Sequence, residues 1–389
     1  MSIQPSPPPS TNGQIDRLRY FRVTTFFARI ILSIIFWDLL IGRIWLIGPS
    51  VKARRPQRSQ RMARRFRFLA INMGGVLIKL GQFLSARIDV LPVEITKELA
   101  GLQDAVPPIP NAEIQQVIRM ELGDPDRIFT RVESEPMAAA SLGQTHRAWL
   151  PVAGQPEQNE AVVIKVQRPH IERTVRTDLA ALRVIARWVM KYRPIRTRAN
   201  VPALMEEFGR TLWEELDYRL EVNNAAQFAT LFDQYDGLYV PRFYNDYCTE
   251  RVLVIENVEG LKLTDLDEIT AAGIDPKQVA DRLLDVYYIQ VFEKAFFHAD
   301  PHPGNIFLRA RPDRPHAEDE PQPFDLIFID FGMMGRIPDE VNKLFKQVMV
   351  SVTTRDATGL TEAYDQLGFF LPGADLDRIS EAQSVILDQ

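Results

Sequence analysis

Two segments carry the side chains best suited to chemistry. The first runs His298-Ala299-Asp300-Pro301-His302-Pro303-Gly304-Asn305, and the second is Asp330-Phe331-Gly332, directly after an apolar run that ends at Ile329. An Asp followed five positions later by an Asn offers a carboxylate and an amide oxygen, and the second Asp adds a carboxylate at a strand end. Hard oxygen ligands of this kind hold Mg²⁺ on nucleotide phosphates, and a carboxylate beside the attacking group completes what phosphoryl transfer needs. The tripeptide alone carries little weight. The two segments in this order carry much more, against the plain alternative of a polar loop capping two strands.

Three further segments fit the same chemistry. Lys165 ends the run Val162-Val163-Ile164-Lys165, whose neighbours predict a strand. A lysine on a half-buried strand is costly unless paired. In kinases it pairs with a helical Glu and contacts the nucleotide phosphates; the alternative is an edge-strand lysine facing water. Upstream, Met137-Ala138-Ala139-Ala140-Ser141-Leu142-Gly143-Gln144 offers small residues that let backbone approach phosphates, although such a run is also ordinary helix. Alanine visits positive φ less readily than glycine, so this loop should be stiffer than a glycine-rich one. Arg251 to Val258 reads as a strand running into Glu256-Asn257-Val258, whose backbone could meet an adenine ring with Ile255 beside it. By itself that pattern is a buried strand.

The elements that must position these groups follow from periodicity. Residues 1–15 read as disordered from their Pro, Ser and Asn content, and 16–105 as helical. Three prolines in Val106 to Asn111 mark a boundary before a short helix, Ala112 to Leu122. Thr145 to Leu150 and Ala161 to Val166 read as strands around a turn at Pro151 to Glu160. Helices dominate Pro169 to Gln234, and Tyr239-Val240-Pro241 and Glu250 to Asn257 look like another pair of strands. Helices resume over Leu263 to Phe297. A polar loop, Arg309 to Pro323, precedes the strand Asp325 to Ile329, and a helix begins near Pro338. The end at Gln389 falls inside a helical pattern without a capping signal, which fits a piece of a longer protein.

Composition narrows the class. The 389 residues carry a net charge of −5, which does not suit a nucleic-acid binder, and a basic run without a recognisable nucleic-acid fold does not change that. With one cysteine, Cys248, there is no internal disulfide and no cysteine-based zinc site; Cys248 reads as a small hydrophobe. The charge is uneven. Eight of the sixteen residues from Lys52 to Arg67 are Lys or Arg and none is acidic. Just before them lies the apolar stretch Thr25 to Pro49, interrupted by Arg29, Asp38 and Arg43, whose charge-free run Ile30 to Trp37 is too short to span a bilayer. Apolar and aromatic residues followed by a basic run suit an interfacial helix that meets anionic lipid, and equally a buried helix followed by a solvated basic one.

Together with Lys79-Leu80-Gly81-Gln82 and Glu215-Leu216-Asp217, these motifs resemble the UbiB/AarF family of atypical kinases over roughly Arg61 to Gly335. The resemblance implies an α+β, bilobal protein-kinase-like fold with a helical N-terminal extension packed over the active site. In that scheme 16–60 are membrane-associating helices and 61–125 the extension with the K-x-G-Q motif. Residues 126–260 form an N-lobe with inserted helices, and 261–389 a C-lobe. It implies ATP and Mg²⁺ as cofactors. Asp300 takes the catalytic place; Lys165 contacts the phosphates with Glu221 as its partner; Asn305 and Asp330 are metal ligands. Ala138, Ala139, Ala140, Ser141, Glu256 and Val258 line the nucleotide. Lys79 and Gln82 lie on a helix that faces Glu215 and Asp217. Spacing alone puts Lys79 and Gln82 on one helical face, and Asp217 and Glu221 on another. The family's link to ubiquinone and other isoprenoid lipids implies partners among anionic membranes, isoprenoid lipid and lipid-biosynthesis enzymes, and a membrane-associated place on the cytoplasmic side or in an organelle.

Departures from ordinary protein kinases point the same way. No arginine precedes Asp300, no Ala-Pro-Glu follows Asp330-Phe331-Gly332, and Lys165 and Glu221 are 56 positions apart. The chemistry expected is small-molecule or lipid phosphotransfer, or ATP hydrolysis coupled to lipid handling. The competing readings are a kinase acting on proteins and a scaffold that holds nucleotide without turnover.

Overall fold

The computed structural model describes residues 15–85, 91–102, 106–152, 154–197, 199–314, 320–371 and 373–387. The disorder expected over 1–15 falls, Ile15 apart, outside these residues, as does part of the expected polar loop before Asp325. The chain divides into two compact units, Met1–Val222 with Arg242–Asn257, and Asn223–Pro241 with Val258–Gln389.

In the first unit, α1 (Arg17–Ile34) starts where the Asp16 carboxylate accepts the Arg19 backbone N–H, and it runs on through a π turn, Ile35–Leu40, and a 3₁₀ turn, Ile41–Arg43. Then follow α2 (Gly48–Ala53), α3 (Arg55–Met73), α4 (Val76–Ser85), α5 (Val93–Ala100) and α6 (Asn111–Leu122). The strands are β1 (Arg131–Val132), β2 (Ala138–Ala139), β3 (Gly143–Val152) and β4 (Gln155–Gln167). Helices α7 (Ile171–Val189), α8 (Arg193–Arg196) and α9 (Val201–Glu215) come next, then α10 (Tyr218–Leu231), whose first turn belongs to this unit. After β5 (Leu238–Tyr239) of the second unit, β6 (Val252–Glu256) returns to the first.

Its sheet is antiparallel in the order β1-β3-β4-β6, with β2 also on β3. Alternation along β4 gives it two working faces. Val162, Ile164 and Val166 are buried with Ile114, Val117 and Ile118 of α6. Val163 and Lys165, opposite Ile255 and Leu253, take the other face, where Tyr218 and Val222 of α10 join the packing. A separate helical core gathers Val23, Phe66, Leu77, Ile78, Leu102, Leu179, Phe208 and Leu212 from α1, α3, α4, the turn after α5, α7 and α9. Each such side chain contributes roughly 1.5–3 kcal/mol by leaving water.

One polar contact organises this core. Arg19 donates to both Asp178 oxygens at 2.7 and 2.6 Å and to the carbonyls of Met73 and Gly74 at 2.7 and 3.0 Å. Gly74 and Gly75 have φ of 62° and 64°, the left-handed region that ends α3 and redirects the chain into α4. The guanidinium fork thus ties α1, α7 and the α3–α4 turn together.

In the second unit, β7 (Leu261–Lys262), α11 (Leu266–Ala271) and α12 (Pro276–Tyr288) precede β8 (Phe296–His298), β9 (Ile306–Ala310), β10 (Phe324–Phe328) and β11 (Met334–Arg336). Helices α13 (Asp339–Thr354), α14 (Ala357–Gln366) and α15 (Leu376–Leu387) follow. One sheet runs β5-β10-β9-β7, with β5 parallel to β10, and β11 pairs with β8. Strand β10 is buried throughout, and its one charged residue, Asp325, is paired with Arg309 and Arg311.

Several sequence expectations need correction. Tyr239 and Glu250 to Asn257 are strands but not a pair: β5 joins β10, while β6 joins β4. The expected turn at Pro151 to Glu160 is mostly strand, because β4 starts at Gln155 and extends the hairpin beyond its apolar half. The helices expected over Leu263 to Phe297 give way at their end to β8. Helix starts at Asn111 and Asp339 match the expected ones within a residue.

The Arg19 fork carries a stability prediction. Asp178→Ala removes a fully buried carboxylate and leaves the guanidinium against two carbonyls. The variant should lose about 3 kcal/mol or more of unfolding free energy in urea titration; a loss under about 1 kcal/mol would contradict this account of the core.

Candidate functional site

The predicted residues fall into two sets, one in each unit. In the first, Lys165 Nζ donates to both carboxylate oxygens of Glu221, at 2.9 and 2.8 Å. Glu221 is 3% exposed, and the ammonium lies 5.2 Å from the Tyr218 ring centroid. Sequence explains both ends. Period-2 burial turns Lys165 away from the α6 side of the sheet, and Glu221 sits in the first turn of α10, where a negative charge suits the helix dipole.

The small-residue run is a strand and tight turn, not helix. Ala138 and Ala139 pair with Thr145 and Gln144, and Ala140 N–H donates to the Gly143 carbonyl at 2.8 Å. A Cβ at Gly143 would lie 2.6 Å from both the Tyr218 hydroxyl and the Val166 carbonyl, so only glycine fits there. Ser141 is buried. At the end of β6, the Glu256 carboxylate accepts the Arg242 N–H at 3.0 Å, and Asn257 N–H donates to Ala161 O at 3.1 Å. Val258 opens the second unit's next stretch.

Lys79, on α4, forms an ion pair of 2.5 Å with Glu215 at the end of α9. Gln82 Nε2 reaches the Leu102 carbonyl at 3.5 Å. Asp217 does not share a helical face with Glu221. It precedes α10 and accepts from the Arg219 N–H and guanidinium, while Glu221 turns into the core.

The second set sits at one end of the β9–β10 pair. Asn305 Nδ2 donates to Asp300 Oδ2 at 3.0 Å and to the Asp300 carbonyl at 3.3 Å. Ile329 N–H donates to the Asn305 carbonyl at 3.1 Å, continuing the register that places Ile306 opposite Phe328. Asn305 and Asp330 are thereby carried on adjacent chain ends. Asp330 Oδ1 accepts the Gly332 N–H at 2.9 Å.

Neighbours without a predicted role fix this backbone. His298 Nε2 bonds the Asp330 carbonyl, and His298 N–H donates to Gln290 Oε1 at 2.7 Å. A carbonyl partner requires the hydrogen on Nε2, and burial pushes the imidazole below its ordinary pKa, so this is a neutral donor. Asn224 Nδ2 donates to the Phe331 carbonyl at 3.0 Å, and the fully buried Phe331 ring lies 5.3 Å from Phe228. Burial, with the Asp300 charge adding, pushes the Tyr287 phenol up to about 12. His298 was visible in the sequence only as part of the Asp300 segment. Gln290 and Asn224 lay inside helical runs with nothing to distinguish them.

The donor set suits magnesium. It consists of the Asp330 carboxylate and the Asn305 amide oxygen, with the Asp300 carboxylate bonded to Asn305, and no group of three His, Cys, Asp or Glu placed for a metal occurs among the described residues. Mg²⁺ takes one or two carboxylates, keeps several waters and completes its shell with substrate phosphates, so few protein oxygens suffice. A cavity of about 780 Å³ elsewhere in this unit, lined by Asp236, Tyr239, Arg309, Arg311 and Asp325, holds none of these residues. Its Arg309 and Arg311 are already paired with Asp325 at 3.0 Å.

A strand lysine held by a helical glutamate, with Asp, Asn and Asp-Phe-Gly around a second sheet, defines a protein-kinase-like class. Residues 101–364 match the ABC1 atypical kinase-like domain. The chain belongs to the ABC1 atypical kinase-like family, as its likeness to UbiB/AarF proteins anticipated. It is 35% identical over 349 residues to the chloroplastic protein Activity of BC1 Complex Kinase 8 of Arabidopsis thaliana, covering 87% of this chain and 44% of that one. It is 34% identical over 361 residues to the probable protein kinase UbiB of Tolumonas auensis, covering 90% of this chain and 64% of that one. The chain thus spans between two fifths and two thirds of the length of these relatives. Among solved structures, Rv3197 of Mycobacterium tuberculosis, in complex with erythromycin, shares the fold with a TM-score of 0.52 at 22% identity, over 84% of this chain and 77% of that one.

The Lys165–Glu221 pair predicts a specific pattern. Lys165→Met removes the amine facing a buried carboxylate and should cost about 3 kcal/mol in urea titration. The double change Lys165→Met with Glu221→Leu should recover most of that loss, since two apolar side chains replace the pair. A double variant no more stable than the single one would show that the pair is not what the site depends on.

Proposed function

We propose that this chain binds MgATP and acts as an atypical phosphotransferase or ATPase at a membrane surface. The observation that carries the reading is the bidentate Lys165–Glu221 pair, because a buried carboxylate holding a strand lysine is what presents an ammonium to phosphate oxygens. Lys165 then binds the phosphates, with Ala138 to Ser141 lying against them and the backbone of Glu256 to Val258 meeting the adenine. Asn305 and Asp330 would hold Mg²⁺, which when bound neutralises phosphate charge. Asp300 orients the attacking group and accepts its proton, and its bond to Asn305 fixes the carboxylate for that task. Lys79, Gln82, Glu215 and Asp217 form a regulatory group.

Only β11 separates Gly332 from α13, so little chain remains for docking a peptide substrate. That favours a small molecule, a lipid or water as acceptor over a protein, although relatives bear the name probable protein kinase. The UbiB name also supports a role in ubiquinone or other isoprenoid-lipid metabolism, with lipid-biosynthesis enzymes as partners.

The membrane reading rests on the N-terminal helices. Residues Arg17–Arg43 are, among the described residues, one segment long and apolar enough to cross a bilayer. Yet Val23 is buried in the helical core with Tyr20, Phe26, Phe27 and Ile31 packed against it, which favours lying at the interface. Trp45 and Leu46 are more than 80% exposed, beside the basic helix α3. Aromatic and basic groups together suit the cytoplasmic face of an anionic membrane or its organellar equivalent.

ATP turnover by wild type and Asp330→Asn, with and without anionic liposomes, tests this. Turnover should rise with liposomes, and the variant should lose on the order of a hundredfold, as for a removed electrostatic contact to a reacting group. Equal phosphate release from both proteins would remove the enzyme reading, and labelled phosphate on added proteins would move it to a protein kinase.

A further inference from the structure

The small-residue turn is held from behind by a residue that the nucleotide scheme does not use. Arg168 follows β4, three positions after Lys165. Its backbone N–H donates to the Leu142 carbonyl at 2.9 Å, its Nε to the Ala140 carbonyl at 3.0 Å, and a terminal guanidinium nitrogen to the Pro107 carbonyl at 2.7 Å. One side chain therefore joins the turn, the end of the lysine-bearing strand, and the proline-rich segment before α6. Gln144, buried at the turn's far side, grips the same segment by donating to and accepting from the Ile109 backbone, at 3.4 and 2.9 Å.

These contacts have a directional consequence. The carbonyls of Ala140 and Leu142 are both turned toward Arg168, and a peptide whose carbonyl points one way points the next N–H roughly the other. The turn cannot flip the Ala140 carbonyl toward a bound anion while the guanidinium holds it, and the Leu142 carbonyl is held by the Arg168 backbone N–H. Alanines already narrow the backbone freedom of this loop, and the Arg168 bonds select one conformer within it.

We infer that Arg168 is a positioning residue that keeps the Ala140 carbonyl of the Ala138–Ser141 turn away from nucleotide phosphates and so tunes the protein for phosphate-bearing ligands over the bare nucleoside. The inference rests on the MgATP reading above. Arg168 touches no phosphate itself. Its anchorage on Pro107 means that the segment leading from the helical extension is part of the brace.

The test compares thermal shift titrations with MgATP, MgADP and adenosine for wild type, Arg168→Ala and Arg168→Lys. Arg168→Ala should weaken MgATP and MgADP about tenfold and leave adenosine within twofold. Arg168→Lys should fall between, about threefold, because one ammonium cannot bridge two carbonyls in the planar geometry of a guanidinium. Hydrogen exchange in the ligand-free protein should show faster exchange of the 138–142 amides in Arg168→Ala, a readout that general destabilisation would spread over β3 and β4 as well. Equal weakening of all three ligands, or unchanged MgATP binding, overturns the inference. If Arg168→Ala does not fold, Arg168→Lys decides: phosphate-selective weakening supports the brace, and wild-type affinities overturn it. A wild type that responds to no nucleotide would instead overturn the MgATP reading.

Discussion

A carboxylate almost wholly removed from water needs a cation, and Glu221 sets the terms for the first unit through that need. Desolvation penalises its charge, and the fork of bonds from Lys165 compensates. The requirement fixes β4 against α10. It explains why Tyr218 and Val222 pack on the Lys165 face of the sheet, and why Gly143 has no room for a side chain beside Tyr218. A lysine so held loses most of its freedom.

The second unit solves a different problem, that of aiming acidic oxygens without a dense cluster of charge. Asn305 donates to the Asp300 carboxylate, and the Gly332 N–H donates to Asp330 Oδ1. The backbone beside them is pinned by His298 and Asn224 at consecutive carbonyls. A buried imidazole suits this role because it donates one hydrogen while staying uncharged.

The family and its motif segments were legible in the sequence where residue type and spacing coincide. Asp300 and Asn305, the tripeptide at Asp330 and the strand lysine were readable because few other functions require those types in that order. Pairing partners were less legible. Strands β5 and β6 look alike as short apolar runs, and only tertiary contacts assign one to each unit. Asp217 and Glu221 have helical spacing, but the helix begins between them, so spacing alone put them on a common face that does not exist. Arg19 and Asp178 are 159 positions apart and belong to no motif, yet they organise the helical core. Asn224 and Gln290 were hidden for a related reason: an amide in a helical run is ordinary until a backbone carbonyl from elsewhere is seen against it.

A common principle links these features. Ordinary kinases gain control through mobile parts, a glycine-rich loop and a long segment after the Asp-Phe-Gly, that order on command. Here the small-residue turn is braced by Arg168, and the stretch after Gly332 is taken up at once by β11 pairing with β8. Both segments are thus tied to neighbouring backbone. In the helical extension the Lys79–Glu215 pair is only half-buried, and its two residues come from separate helices. A partly solvated ion pair is worth far less than a buried one and breaks at correspondingly small cost. The Lys79–Glu215 pair is therefore a weaker tie between α4 and α9 than the buried Lys165–Glu221 pair is between β4 and α10.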